Sequence, residues 1–531
     1  METDKTLSMI KGGDVVLGIE FGSTRIKAVL IGEDHNPLAA GGFDWENSLV
    51  NGIWTYPLER IWEGLRSCYR DLAQNVRDKY GVHLSHIRAL GFSAMMHGYM
   101  VFDRNGNQLT PFRTWRNNIT GAASEELTNL FNYPIPQRWS IAHLYQAVLN
   151  NEAHVRDIAF MTTLAGYIHF RLTGKKVIGI GDASGMFPID LETKDFNMDM
   201  CALFDNHIKE KGFRWRVREI LPEVLCAGEN GGLLTEEGAL LLDPSGMLKP
   251  GVPVAPPEGD AGTGMAATNS VAKRTGNVSA GTSVFAMIVL EKELTKVHHE
   301  VDLVTTPDGH LVGMAHSNNC STDYDGWINL FGEALESLGK GVSRTLLYDT
   351  LLAQALKGDP DCGGLMSYGY VSGEHITGFT EGRPLFVRSP EARFNLANFM
   401  RTHLFTSLCA LRTGLNVLFN EEGAKVDEIR GHGGFFKSPE VGQKIMAAAT
   451  GTPVSTLKTA GEGGAWGMAL LAAFMVRKDK KVTLPEFLAN VFCDSIQKAV
   501  KPDPEDVKGF NKFFERYHRG LAIEEAAVTC L

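Results

Sequence analysis

Gly18-Ile19-Glu20-Phe21-Gly22-Ser23-Thr24-Arg25-Ile26-Lys27 is the stretch on which the reading of this chain turns. Val15 to Ile19 is a short apolar run, Gly22-Ser23-Thr24 is a turn, and Ile26 to Ile31 resumes the apolar character, so the segment reads as a β-hairpin. Backbone N–H groups at such a turn point together, the hydroxyls add donors and Lys27 adds positive charge, a combination that suits a polyphosphate. Glu20 puts a carboxylate at the strand end, where it could hold Mg²⁺ through bound waters. Taken alone, a Gly-Ser-Thr turn between two strands is simply a hairpin.

The same grammar returns a domain's length later. Gly276 to Ala280 is a small strand, Gly281-Thr282-Ser283 a turn, and Val284 to Leu290 a second apolar strand. Two similar halves with a phosphate turn in each is one way to clamp a nucleotide. Leu38 to Phe43 supplies a third strand after the first hairpin, and Ile61, Trp62, Leu65, Cys68, Leu72 and Val76 keep helical spacing. Strands are expected at Ile87 to Phe92 and Tyr99 to Phe102, with helices near 122–132, 141–151 and 164–173. A stretch dense in Pro and Gly over 243–262 then breaks the pattern and is a candidate hinge. In the second half a helix is expected near 396–420, a strand from Val426 to Arg430, an Ala/Gly-rich helix from Gly463, and a charged tail with helical segments. Strands with helices between them indicate an α/β architecture.

Bulk composition narrows the function class. A chain of 531 residues exceeds a single hydrophobic core, which predicts two or more domains. An apolar fraction of 44% and a charged fraction of 21% are ordinary for globular proteins and exclude disordered and fibrous classes. A net charge of −10 disfavours nucleic acid or an anionic membrane as partner. The 8 cysteines form no CxxC pair or zinc spacing and read as buried reduced thiols. The N-terminus has no signal-peptide pattern, and the longest apolar run, within Ala465 to Val476, is too short to cross a bilayer. A reducing, cytoplasmic setting follows. His298, His299 and His316 lack any metal-motif spacing and are read as solvent or core residues.

Two further segments carry chemistry. In Glu258-Gly259-Asp260-Ala261-Gly262-Thr263-Gly264 the glycines let a substrate hydroxyl approach the backbone, and Asp260 can accept the proton of an attacking alcohol. In Gly433-Gly434-Phe435-Phe436-Lys437-Ser438, followed by Gln443, the glycines permit close packing of a flat ring and Ser438 could bond a ribose or base edge. Phe435 and Phe436 line that ring or belong to the core; the sequence supports either.

In this order the segments GIEFGST-RIK, EGDAGTG, SAGTSV, GHGGFFKS with Gln443, and EGGAWGMALLAA resemble the FGGY carbohydrate kinases, a branch of the actin-like ATPase superfamily, from about Val15 to Val476. The resemblance implies two ribonuclease-H-like domains flanking a catalytic cleft, spanning 12–265 and 266–531, with sugar bound mainly by the first and ATP between both. It places Asp260 on the catalytic base, Ser23, Thr24 and Lys27 on the first phosphate segment, Gly281 and Thr282 on the second, and Gly434 and Ser438 on the adenosine side. It implies ATP and Mg²⁺, the metal near Glu20 and Asp260, a small-molecule sugar as partner, and leaves a homodimer open.

Ser93-Ala94-Met95-Met96-His97-Gly98 and Trp115-Arg116-Asn117 resemble the sugar-site segments of xylulokinases, which makes Met96, His97, Trp115 and Asn117 candidate substrate residues. A ketopentose such as xylulose is therefore the first expectation. Other ketoses or polyols (ribulose, glycerol, erythritol) and a degenerate sugar- or ATP-binding regulator are the alternatives, with a chaperone-like or filament-forming ATPase further off. The departures bear on that choice: Glu20 stands where the family has Asp, Asn117 and Ile119 where it has an acid and a guanidinium, His375 where it has Arg, and Ala261 where xylulokinases often carry an amide. Sites that hydrogen-bond substrate hydroxyls discriminate by large factors, so such changes redirect sugar choice.

Overall fold

The computed structural model describes residues 2–438, 440–457, 463–495 and 498–531; Glu462 of the EGGAWGMALLAA motif lies outside them. The chain divides into two compact units, one of Met1–Val271, Leu303–Leu311 and Glu462–Asp494, the other of Ala272–Asp302, Val312–Gly461 and Ser495–Leu531. The division departs from two contiguous spans of 12–265 and 266–531, because two later segments return to the first unit.

In the first unit, strands Val16–Phe21, Arg25–Ile31 and Pro37–Asp44 form an antiparallel meander, as the apolar runs of the sequence predict. Strand Ala89–Ala94 then pairs parallel to Val16–Phe21, and Glu258–Gly259 pairs parallel to Ala89–Ala94. The sheet order, numbering these five strands along the chain, is 3-2-1-4-5. The second unit repeats it. Strands Thr275–Ala280, Val284–Val289 and Leu311–Ser317 are antiparallel neighbours, and Glu428–His432 and Val454–Thr456 add in parallel beside the first of them. The echo heard in the two glycine turns is thus an echo of whole sheets.

The helix Leu58–Tyr80 covers one face of the first sheet with the residues its 3.6-residue spacing selects, Ile61, Leu65, Cys68, Leu72 and Val76. The other face receives the helix Gly463–Met475, which is apolar nearly all round and buried accordingly. Contact there is so close that a methyl group at Gly18 would lie 2.1 Å from the Ala465 carbonyl oxygen and 2.4 Å from the Ala469 nitrogen. Between strands Ala89–Ala94 and Glu258–Gly259 the chain makes a largely helical excursion with its own apolar cluster, including Trp139, Leu144, Phe187 and Phe196. In the second unit the helix Leu396–Asn416 continues into a π-helical turn, Val417–Glu421.

The Pro/Gly-rich stretch read as a hinge is tied along the first sheet: Leu90 N–H donates to Pro253 O at 3.0 Å, and Ala255 N–H donates to Leu90 O at 2.8 Å. Its end is not a surface loop, because Asp260 opens the helix Asp260–Ala267. Cys68, Cys201, Cys320, Cys362 and Cys409 are buried free thiols as expected, whereas Cys493 and Cys530 are exposed. His298 is a core residue, its Nε2 2.6 Å from a Glu422 carboxylate oxygen. Among the described residues no helix is long and apolar enough to cross a membrane.

Gly18→Ala should therefore force the helix Gly463–Met475 off the sheet and destabilise the first unit by about 1–3 kcal/mol, the usual cost of overpacking. Calorimetric unfolding of the variant beside the parent measures it; an unchanged transition would mean that the helix does not seat on Gly18.

Candidate active site

The first turn is built so that its carbonyls are spent. Gly22 O accepts from Trp45 Nε1 at 2.8 Å, Ser23 O from the Tyr56 hydroxyl at 2.6 Å, and Thr24 O from Trp45 N at 3.0 Å. Trp45 and Tyr56 stack at 4.2 Å behind it. A turn whose acceptors are used inward presents donors outward, which is what an anion requires. Thr24 is exposed there, and Trp115, also exposed, reaches Ser23 Oγ with its Nε1 at 3.4 Å. The second turn follows the same rule: Gly281 O accepts from Ser321 N at 3.1 Å and Thr282 O from Cys320 N at 2.9 Å.

Glu20 pairs directly across the hairpin with Lys27. Its carboxylate takes N–H bonds from Gly464 and Ala465, at the N-terminus of the helix Gly463–Met475, where the backbone dipoles favour negative charge. Only glycine fits at 464, since a methyl group there would lie 2.1 Å from Glu20 Oε1. Burial and the neighbouring Asp260 carboxylate nevertheless push Glu20 up to about 7, against the pull of the Ala465 and Gly464 amides and Lys27.

Asp260 is accessible to solvent, and its Oδ1 accepts from Met96 N at 3.1 Å. Its carboxyl is held above the ordinary range by the protein packed around it, opposed by amides of Met96 and Ala261. Two residues before it, Glu258 is buried; its two oxygens accept from Gly181 N at 3.3 Å and Asp182 N at 3.1 Å. Asp182 is buried too, held at one oxygen by the Thr163 hydroxyl at 2.6 Å, while its Oδ1 has no partner among the described residues. Desolvation first, then repulsion by Asp260 on Asp182 and by Asp182 on Glu258, raises both acids well above the carboxylate range. Of these, the sequence offered Glu258 inside its motif without a role, and offered nothing for Asp182 or Thr163.

His97 sits in the left-handed region with φ 71°, followed by Gly98 at φ 97°. Such backbone strain in a non-glycine residue costs on the order of 1–3 kcal/mol and persists only where the surroundings demand it. The imidazole packs on Gly185, where a methyl group would lie 2.5 Å from Nδ1, and Nδ1 is 3.3 Å from the Gly185 carbonyl. Burial first, then Arg138, pulls its pKa well below the usual value, so the ring is neutral. Met96 and His97 are thereby brought beside Asp260. Asn117 is not presented in the same way: it is buried, and its amide is engaged with Trp54 N and O at 2.8 and 2.9 Å and with Thr114 O at 2.9 Å.

In the second unit Gly433, at φ 99°, lies against strand Thr275–Ala280 so tightly that a methyl group would meet the Ala280 carbonyl oxygen at 2.3 Å. This sets Gly434 next to the Gly281 turn. Ser438 Oγ is 2.9 Å from Asp349 Oδ1, a partner that the sequence did not suggest. Phe435 is core, and the Phe436 ring covers Gly431. Glu374, fully buried, accepts from the Ser317 hydroxyl at 2.8 Å and Asn318 N at 2.9 Å, while His375 stacks on His316 at 6.0 Å.

Glu20 and Asp260 fit a divalent cation in one respect: burial raises the proton affinity of both, and Asp260 lies close enough to raise that of Glu20 further, which a cation would relieve. Among the described residues no cluster of three or more His, Cys, Asp or Glu side chains could hold a metal, so the other ligands would be waters or phosphate oxygens, as suits Mg²⁺.

Comparison with known proteins assigns the chain to a family. Residues 15–266 match the N-terminal domain of the FGGY family of carbohydrate kinases, and residues 276–476 match its C-terminal domain. A xylulose kinase of Haemophilus influenzae is 21% identical over 94% of this chain and 98% of its own. The fold is shared with a ligand-bound xylulose kinase from Lactobacillus acidophilus (TM-score 0.76, 17% identity, 95% of this chain and 97% of that one). It is shared equally with a gluconate kinase from the same organism (TM-score 0.77, 18% identity, the same coverage).

The raised acids give the first unit a distinctive pH response. The folded state keeps a proton on the Asp182–Glu258 pair that the unfolded chain releases near pH 4, so stability is lost as pH rises above the ordinary carboxylate range. The melting temperature should fall between about pH 5 and 8, and Asp182→Asn should flatten that slope; a slope identical in both proteins would contradict the retained proton.

Proposed function

The chain belongs to the FGGY family of carbohydrate kinases, and from that premise we propose that it transfers the γ-phosphoryl group of ATP to a hydroxyl of a ketopentose, with Asp260 as general base and xylulose as the first candidate. That it is a phosphotransferase acting on a sugar follows from the family. The choice of a ketopentose rests on xylulose kinase being the name of a relative matched over nearly the whole chain. The observation that carries the assignment of the base is the Met96 N–H to Asp260 Oδ1 bond, which fixes the carboxylate against the Met96-His97 segment.

In this reading the Asp260 carboxylate accepts the proton of the sugar hydroxyl while its oxygen bonds to the γ-phosphorus and the bond to ADP breaks. An acid with a somewhat raised pKa suits that task, since proton transfer is best served by a group poised near the working pH. Met96 and His97 hold the sugar, and Trp115 borders it beside Ser23. Asn117 supports the Trp115 loop from behind. Ser23, Thr24 and Lys27 bind phosphate oxygens, as do Gly281 and Thr282, while Gly434 and Ser438 serve the adenosine side. Mg²⁺ held by Glu20 and Asp260 would supply neutralisation of phosphate charge. Phosphoryl transfer needs mainly alignment and charge stabilisation, so these donors account for most of the catalysis. A cytoplasmic location and a homodimer complete the reading as expectations.

Coupled ADP release with Mg·ATP across D-xylulose, L-xylulose, both ribuloses, gluconate, glycerol and erythritol tests the substrate, a dominant rate with a xylulose being the expected result. Asp260→Asn should lower kcat on that sugar by about 10²–10⁴-fold with ATP binding retained; an undiminished rate removes Asp260 as base. Glu20→Asp should fall about 10- to 100-fold, because the shorter arm gives up the Gly464 and Ala465 amides. A gain of activity in that variant would instead make the longer side chain an impediment.

A further inference from the structure

Glu258 is an expense that the chemistry so far leaves unexplained. It is a carboxyl with almost no solvent exposure, set two residues before Asp260 and beside a second buried acid, Asp182. Burying charge-bearing groups together is costly unless their bonds do something an apolar pair could not. The chain has cleared space for it: methyl groups at Gly179 and Gly181 would lie 2.3 and 2.4 Å from its two oxygens.

Its bonds close a ring. Glu258 takes the N–H groups of Gly181 and Asp182. From there the segment 180–185 is braced internally, Gly185 N donating to Asp182 O at 3.0 Å and the Ser184 hydroxyl to Gly181 O at 2.6 Å. Thr305 adds a bond from its hydroxyl to Ile180 O at 2.9 Å. The segment ends at Gly185, whose carbonyl accepts from His97 Nδ1, and Met96, the neighbour of His97, donates to Asp260. Asp260 is two residues from Glu258, so the circuit returns to its start.

We propose that Glu258 is a positioning residue for His97: through the segment 180–185 it holds the Gly185 carbonyl against Nδ1, fixes the imidazole as the Nδ1–H tautomer, and so makes Nε2 a hydrogen-bond acceptor for a hydroxyl of the sugar. The inference rests on the reading of His97 as a sugar residue. A carbonyl can only accept, so Nδ1 must carry the proton; in a neutral ring Nε2 is then a lone pair. Among the described residues Nε2 has no protein partner. An acceptor of this kind admits a hydroxyl and refuses a group that cannot donate, which makes Glu258 and Gly185 determinants of sugar choice at one remove.

Long-range ¹H–¹⁵N spectra of the full-length protein with ¹⁵N-labelled histidine, recorded without sugar or nucleotide, read the tautomer directly. The His97 signal, assigned by its loss in His97→Gln, should show a protonated Nδ1 and an unprotonated Nε2. In Glu258→Ala it should shift toward the Nε2–H form, and the KM for the sugar should rise about tenfold with the KM for ATP unchanged. Glu258→Gln, which keeps one acceptor but opposes the other N–H with its own amide, should fall between parent and Ala. A tautomer that does not move, or a sugar KM that does not rise, overturns the proposal; if Glu258→Ala does not fold, Glu258→Gln decides on the same two readouts. Since the tautomer is read without substrate, a parent protein that phosphorylates no sugar would defeat the proposed function, while the spectra still judge Glu258.

Discussion

Four carboxyl groups, Glu20, Asp182, Glu258 and Asp260, are held within one unit, desolvated first and repelled second, Glu20 and Asp182 by Asp260 and Glu258 by Asp182, and much of the local structure answers that cost. Each acid is answered by N–H or O–H donors: Glu20 by the start of a helix, with Lys27 across the hairpin, Asp260 by Met96, Glu258 by Gly181 and Asp182, Asp182 by Thr163. Answering a carboxylate with backbone demands that the backbone come close, and this is why glycine occupies 179, 181 and 464. The arrangement leaves the acids high in proton affinity, ready to take a proton or meet a cation.

The sheets were legible because their strands are apolar runs broken by turn residues, and the two hairpins announce themselves by the same Gly-hydroxyl signature in Gly22-Ser23-Thr24 and Gly281-Thr282-Ser283. The long helix Leu58–Tyr80 was equally plain from its spacing. What could not be read was pairing over long sequence distance. Nothing local says that Gly463–Met475 seats on Gly18, because a helix that is apolar on every side carries no direction.

At the site, Asp260 and Glu20 stood out as acids in glycine-rich or strand-end settings, whereas Asp182 lies in a stretch whose chemistry shows only after folding brings Glu258 to it. Asn117 illustrates the opposite case. Its residue type suits sugar recognition, yet its amide is engaged by the main chain of Trp54 and Thr114, a use that no sequence pattern distinguishes from the other. Likewise Ser438 could be named as a nucleotide-side residue from its motif, but not its bond to Asp349, 89 positions away.

The helix Gly463–Met475 has a consequence for how the protein comes into being. The first sheet starts at Val16, but the helix that covers its second face is made only after nearly all of the second unit has been synthesised. Until then an emerging chain carries Val16–Phe21 with that face bare, an apolar surface of the kind that recruits chaperones or aggregates. The unit that begins first therefore waits for its last segment until most of the second has been made. A ribosome stalled before residue 463 would release a protein whose amino-terminal half, though complete in its strands, had never been able to close.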